Sequence, residues 1–428
     1  MTTFKDFGFA PGILKSLEES GYVTPTPIQA KAIPLVLDNQ DVLACAQTGT
    51  GKTAAFSLPI INNLSAQEYD KHNRKIRCLI VTPTRELAVQ IEECITAYSK
   101  HTDLRSTVIF GGVPQGAQVR KLNSGIDILI ATPGRLLDLM GQGYIKLNNV
   151  GVFILDEADR MLDMGFINDI KKLVKVIPSK RQTLLFSATM PNSILSLAKS
   201  LLHQPHEVKV DPVSSTADTI QQKIYFVDKP NKIWLLIDII KEHKMDAVLV
   251  FTRTKHGADK VVRMLEKNKI TSAAIHGNKS QNARQRALKH FKEGSVQALI
   301  ATDIAARGID IDSLKFVVNY DLPNEEESYV HRIGRTGRAG KDGQAFSFCD
   351  IDEKAYLKDI QKLIKQEIPV VEDHAFPLQN FTLSPKKQQG GGRRHQGGGG
   401  GNGKSQGQGQ GNSGARQEKR KKWFGKKR

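Results

Sequence analysis

The sequence predicts an α/β protein: two tandem open parallel-sheet domains followed by a basic C-terminal tail. Three observations carry this. Short apolar runs alternate with helical stretches from about 41 to 210; the alternation restarts after the polar, proline-bearing segment "HQPHEVKVDPVSSTADT" at 203–219; and from about 385 the chain turns to Gly, Gln and basic residues. Runs such as "CLIVTPT" and "QTLLFSAT" are apolar at successive positions, the pattern of strands buried on both faces. Strand–helix alternation then implies parallel crossovers.

In order, residues 1–30 form an N-terminal region, 31–208 a first α/β domain, 209–219 a linker, 220–370 a second α/β domain and 371–428 a low-complexity tail, disordered mainly from 385. The first domain carries the runs "DVLACAQ", "CLIVTPT", "STVIFGG", "DILIATP", "VGVFILDEAD" and "QTLLFSAT". The second carries "KIYFVD", "AVLVFTRT", "TSAAIHG", "QALIATD", "FVVNYD" and "GQAFSFCD". Of the net charge of +18, residues 385–428 hold +12, from 13 Lys/Arg and one Glu, which leaves +6 for the rest. Such a tail suits a polyanion, most simply nucleic acid; the alternative is a solubilising end. The four cysteines show no CxxC pair, which points to reduced core residues in a cytoplasmic protein. No apolar run approaches a membrane span of roughly 18 residues, and the N-terminus does not read as a secretory signal, so no membrane partner is expected.

"AQTGTGKT", residues 46–53, follows a strand and opens a helix. Amides of Ala46, Gln47, Thr48, Gly49, Thr50 and Gly51 would cradle phosphate oxygens. Lys52 would reach the β/γ-phosphates and the Thr53 hydroxyl would ligate Mg²⁺. Ala46 stands where the strict pattern has glycine. Beyond the run "VFIL", Asp156 is the second Mg²⁺ ligand expected, and Glu157 the residue that orients or deprotonates the attacking water. "HRIGRTGR", 331–338, packs Arg332, Arg335 and Arg338 into eight positions. On its own it reads as a solvated basic turn. With a phosphate loop in the same chain, Arg335 and Arg338 read as arginine fingers presented across a cleft.

Together these residues resemble the DEAD-box RNA helicases; the tetrapeptide Asp156-Glu157-Ala158-Asp159 is literally present, and the match spans roughly residues 1–370. The resemblance implies two RecA-like domains, ATP and Mg²⁺ as cofactors, and RNA-stimulated ATP hydrolysis. Gln29 within "GYVTPTPIQ" resembles the family's reader of the adenine edge, with Phe4 and Tyr22 stacking on the ring. Ser187, Ala188 and Thr189 resemble the motif that couples nucleotide state to RNA binding, with Asp159. Asp303, Gly308 and Asp310 resemble the second domain's nucleotide contacts, and His331 a link to Asp159 or to the catalytic water. Pro83, Thr84, Arg85, Gly112, Thr132, Pro133, Gly134, Arg135, Arg253, Gly277, Arg284 and Thr302 fall on the family's RNA-contacting motifs, which read backbone and so imply weak sequence preference. Within the family the chain looks most like the bacterial RhlE-type helicases.

The leading reading is an ATP-dependent RNA helicase acting by local strand separation, on RNA that is largely sequence-independent. A DNA-directed translocase and a non-enzymatic RNA clamp are the alternatives. Ribosomal precursors or RNA-turnover proteins are family-level partners that the sequence does not choose between.

Overall fold

The structure, a computed structural model, describes residues 2–47, 49–210, 220–306, 311, 314–337 and 343–383. All twelve apolar runs form strands. In the first lobe these are β1 (Val42–Cys45), β2 (Cys78–Val81), β3 (Ser106–Ile109), β4 (Ile128–Ala131), β5 (Val152–Leu155) and β6 (Gln182–Ser187), joined by β7 (His206–Lys209). The second lobe has β8 (Ile220–Phe226), β9 (Val248–Phe251), β10 (Ser272–Ile275), β11 (Ala298–Ala301), β12 (Phe316–Asn319) and β13 (Gly343–Cys349). Sheet orders are β3-β4-β2-β5-β6-β1-β7 and β10-β11-β9-β12-β13-β8, with every pairing parallel.

Burial follows position in the sheet. Central strands β2, β4, β5 and β6 are buried at every residue, whereas edge strand β3 alternates. Strand β7 lies inside the segment read as a polar boundary. It pairs with β1 through Val42–His206 and Cys45–Lys209, and only Val208 points inward. An edge strand with one buried side chain leaves no apolar run to find.

Two features extend the second lobe. Beyond residue 370 the chain runs along the edge strand β8: Val371 N–H donates to Ile224 O (2.9 Å), Leu378 N–H to Phe226 O (3.0 Å), and the Gln379 and Asn380 amides to the Asp228 carboxylate (3.2 and 3.0 Å). That segment therefore covers an otherwise open sheet edge. Deeper, the fully buried Lys232 ammonium meets Glu353 (2.5 Å) and Asp350 (3.2 Å).

Because all strands of a lobe run the same way, the loops leaving their carboxyl ends gather on one rim. Strand order then divides the first rim. Loops after β1, β5 and β6 are neighbours, and so are those after β2, β3 and β4. The phosphate-loop and DEAD residues fall on the first group, and the expected RNA contacts of this lobe on the second.

Candidate functional site

The loop after β1 enters the helix Lys52–Ala66 through Gly49 and Gly51, at φ of 82° and 92°, where only glycine sits without strain. The Ala46 amide donates to Ser187 O (3.0 Å), continuing the β1–β6 ladder. The backbone at 46, one residue past β1, thus still pairs with β6, and a glycine's freedom is not needed there. Lys52, buried, donates to Ala46 O (2.8 Å), and Thr50 Oγ1 to Gln47 O (2.7 Å), so the loop is closed on itself. Thr53 follows on the first helical turn; Thr48 lies outside the described residues.

Gln29 bridges this loop to the N-terminal region. Its Oε1 accepts from the Thr26 amide (2.9 Å) and its Nε2 donates to Gly51 O (3.2 Å). A Cβ on Gly51 would collide with that carboxamide. Phe4 is buried, edge-on to Tyr22 at 5.9 Å between centroids. Tyr22 is in turn tied by its hydroxyl to Tyr98 (2.7 Å). Phe4 is buried and Tyr22 half-buried against the same core, because an apolar ring beside a core is buried in preference to being left exposed.

At the end of β5, Asp156 is buried and accepts from the Glu157 amide (3.0 Å). Burial pushes its carboxyl up to about 7, against the pull of Lys52. Glu157 adopts a left-handed φ of 56°, which turns the chain sharply out of the strand, and its carboxylate pairs with Arg160 (2.6 Å). Asp159 is the hub toward β6. Its Oδ2 accepts from the amides of Ala188 (3.1 Å) and Thr189 (2.9 Å) and from Thr189 Oγ1 (3.0 Å), while the Asp159 amide donates to Ser187 Oγ (3.3 Å). The four expected coupling residues are thus one hydrogen-bonded unit.

In the second lobe, His331, Arg335 and Asp303 line one narrow cleft with Arg160 of the first. Asp303, expected at the nucleotide, is held by Arg332. Gly308, Asp310 and Arg338 lie outside the described residues.

The expected RNA contacts converge. Pro83, Thr84, Arg85, Thr132, Gly134 and Arg135 of the first lobe and Gly277 and Arg284 of the second line one groove of about 520 Å³. Thr84 caps the helix Arg85–Tyr98, accepting from the Leu87 amide (3.3 Å), and Pro133 opens the helix Pro133–Gly141. Gly112, at φ 81°, leaves room for the Arg85 guanidinium, which any Cβ would strike. Thr302 follows β11, its amide on Ile275 O (3.3 Å). Arg253 is engaged within its lobe, with Nη2 on Glu353 (2.5 Å) and Leu322 O (2.9 Å) and its guanidinium over Tyr356. Sequence reasoning missed Glu86. This buried carboxylate accepts from Gln281 (2.9 Å) and pairs with Arg284 (3.1 Å), joining the two lobes through their nucleic-acid motifs. Its signal was an acid beside Arg85 in a motif otherwise read for cations.

A phosphate loop, paired carboxylates and arginines on facing lobes, beside a second groove shared by both, define a two-lobed nucleotide hydrolase with a separate polyanion site. The comparisons make the class specific. Residues 26–197 match the DEAD/DEAH box helicase family and 231–340 the helicase conserved C-terminal domain. The chain is 40% identical over 393 residues to the ATP-dependent RNA helicase CshA of Listeria monocytogenes, covering 91% of this chain and 75% of that protein. It is 44% identical over 388 residues to the ATP-dependent RNA helicase DeaD of Klebsiella pneumoniae, covering 90% and 59%. Among solved structures, Saccharomyces cerevisiae Dbp5 bound to RNA and ADP BeF3 superposes with a TM-score of 0.75 at 31% identity, covering 87% of this chain and 96% of that one. The chain belongs to the DEAD-box ATP-dependent RNA helicases.

Proposed function

We propose that the chain hydrolyses ATP on the rim after β1, β5 and β6, and uses closure of its lobes on the adjoining groove to separate or remodel RNA duplexes locally. The observation that carries this is the shared groove: cations from both lobes meet there, one element from the rim that holds Lys52, Asp156 and Glu157.

In this reading ATP phosphates enter the loop 46–53 and Lys52 exchanges the Ala46 carbonyl for the β/γ-phosphates. Asp156 and Thr53 would hold Mg²⁺. The fit is good, since a buried carboxylate that feels Lys52, and a hydroxyl one residue on at the helix start, are the few hard oxygen donors this ion takes from protein. Mg²⁺ supplies charge neutralisation at the phosphates. Glu157 orients a water or accepts its proton as the oxygen bonds to the γ-phosphorus and the bridging P–O bond breaks. Arg335, with Arg338, meets the charge that develops on the transferring group. Asp159, through Ser187, Ala188 and Thr189, links that event to the groove, with His331 on the second lobe's side of the narrow cleft. Gln29 reads the adenine edge.

RNA is the proposed ligand of the groove, and backbone contacts make it sequence-independent. Ribosomal precursors and RNA-turnover assemblies are the substrate classes such an activity serves. The proposed compartment is the cytoplasm: none of the four cysteines forms a disulfide. Among the described residues no helix is long and apolar enough to cross a membrane. The RhlE-type resemblance stays a proposal resting on the motifs and the short basic tail.

The experiment is ATP turnover with single-stranded RNA, with DNA of the same sequence, and with neither. Stimulation by RNA alone supports the reading. Equal stimulation by DNA would make the chain a general translocase, and absence of turnover would reduce it to an RNA clamp. Lys52→Ala should abolish turnover in every arm.

A further inference from the structure

Arg160 is in an unfavourable place for a cation. It stands in the six-residue helix Ala158–Asp163 with its side chain only 7% exposed, and burial strips a charge of its water. A buried guanidinium needs a partner, and the structure gives it Glu157: Arg160 Nη1 donates to Glu157 Oε2 at 2.6 Å, the carboxylate itself 4% exposed. The arginine's own amide donates to Asp159 Oδ1 (3.1 Å), so its backbone is fixed by the hub that binds Ala188 and Thr189. Its other side faces the second lobe, in the cleft lined by Asp303, Ser328, His331 and Arg335.

We propose that Arg160 is a positioning residue for ATP hydrolysis, one that fixes which oxygen of Glu157 meets the attacking water; this rests on the hydrolytic role assigned to Glu157 above. The contact engages Oε2 alone and so orients Oε1. A carboxylate on a left-handed residue at a strand–helix turn has rotamers to lose, and a short charge-assisted bond selects one of them. In the step itself Oε1 takes the proton of the water as the water oxygen bonds to the γ-phosphorus and the bond to the bridging oxygen breaks; the proton then passes to solvent. Arg160 gains and loses nothing. Arg160 also lines the cleft that holds Arg335, which sets the aim of the base beside the approach of the arginine finger.

The test is a double-mutant cycle on the full-length protein with RNA present: wild type, Arg160→Gln, Glu157→Gln and the double variant, under single-turnover conditions so that slow variants are readable. Arg160→Gln should lower the hydrolysis rate by about tenfold or more while the KM for ATP stays within about twofold. In the Glu157→Gln background the same change should cost less than about twofold, because nothing is left to aim. Arg160→Lys should fall between Arg and Gln, since it keeps the charge but not the reach. If Arg160→Gln does not fold, the cycle is run with Arg160→Lys. Equal losses in both backgrounds, a loss confined to KM, or an unchanged rate would each overturn the proposal. Wild-type hydrolysis by Glu157→Gln alone would instead remove the hydrolytic reading of Glu157, a result visible before Arg160 is touched.

Discussion

Arg332 closes a two-pronged ion pair on Asp303, with Nε to Oδ1 at 2.6 Å and Nη2 to Oδ2 at 2.7 Å. The same guanidinium donates to Asn319 Oδ1 (3.2 Å) and Asp321 O (2.6 Å) and lies over the Phe251 ring. One side chain thereby ties the carboxyl ends of β9 and β12, and the residues just beyond β11 and β12, to the helix Glu326–Ile333. Asp303, which also lines the cleft between the lobes, is thereby held in a fixed orientation.

The first prediction separates neighbouring arginines. Arg332→Ala removes one partner of a buried charge pair and should cost about 3 kcal/mol of stability. Arg332→Lys should recover little, since an ammonium cannot fork onto both oxygens. Arg335→Ala should act mainly on kcat, lowering it by about 10³. Urea unfolding alongside ATPase assays checks the pair. A kcat defect for Arg332→Ala at wild-type stability would reverse the assignment.

That contrast marks what could be read in advance. The strands were legible because central parallel strands are apolar at every position. The loop 46–53 and the acids after β5 were legible because phosphate chemistry restricts both residue type and spacing. Equal spacing of Arg332 and Arg335 gives no sign that one is a scaffold, since burial depends on partners about 30 residues away at Asp303. Glu86 and Arg160 were missed for a related reason: each acts through an opposite charge that tertiary structure brings to it. Strand β7 and the segment after 370 complete sheet edges by backbone bonds, which leave almost no pattern in side chains.

The second prediction concerns acid. Asp156 sits near 7 in the nucleotide-free protein, raised by burial and opposed by Lys52. Below that pH it carries a proton that must leave before the carboxylate can ligate Mg²⁺. Apparent Mg²⁺ affinity of the ATP complex should therefore fall by up to about tenfold per pH unit below 7 and level off above it. Mg²⁺ titrations from pH 6 to 8 would show the break, and Asp156→Asn should abolish it along with most of the affinity. A flat profile in the wild type would place the ion on other ligands.

The third prediction concerns the base. Gln29 donates one N–H to Gly51 O and accepts at Oε1 from the Thr26 amide, which fixes the carboxamide's orientation and leaves a second N–H and a second lone pair for a base. Adenine offers an amino donor and a ring acceptor side by side, which a carboxamide satisfies; guanine offers the reverse. ATP should be strongly preferred to GTP, and Gln29→Ala should erode that preference. Gly51→Ala should lower the use of both nucleotides and erode the preference as well, by straining a left-handed residue and driving Gln29 off the loop. Comparing kcat/KM for ATP and GTP in the three proteins tests this, and equal use of GTP by the wild type would remove the adenine-reading role.

The last prediction concerns the tail, which lies outside the described residues. Deleting 385–428 removes +12 of charge and none of the residues that line the groove. RNA affinity should fall, while ATPase at saturating RNA should be largely retained. On a single strand each neutralised phosphate contributes about −0.7 to the slope of log K against log salt, so a tail that neutralises about four phosphates would, on deletion, flatten that slope by roughly 3. The loss of affinity should be similar for unrelated RNAs, because flexible Lys and Arg on phosphates carry no base information. Trp423 and Phe424, set among the basic residues of "KRKKWFGKKR", add stacking faces that accept any base, and replacing both by Ala should lower affinity without changing the slope. Measuring Kd at several salt concentrations, for full-length, truncated and Trp423→Ala/Phe424→Ala proteins on two RNAs, separates the contributions. An unchanged Kd and slope after truncation would make the tail a solubility device, and a loss confined to one RNA would make it a specific reader.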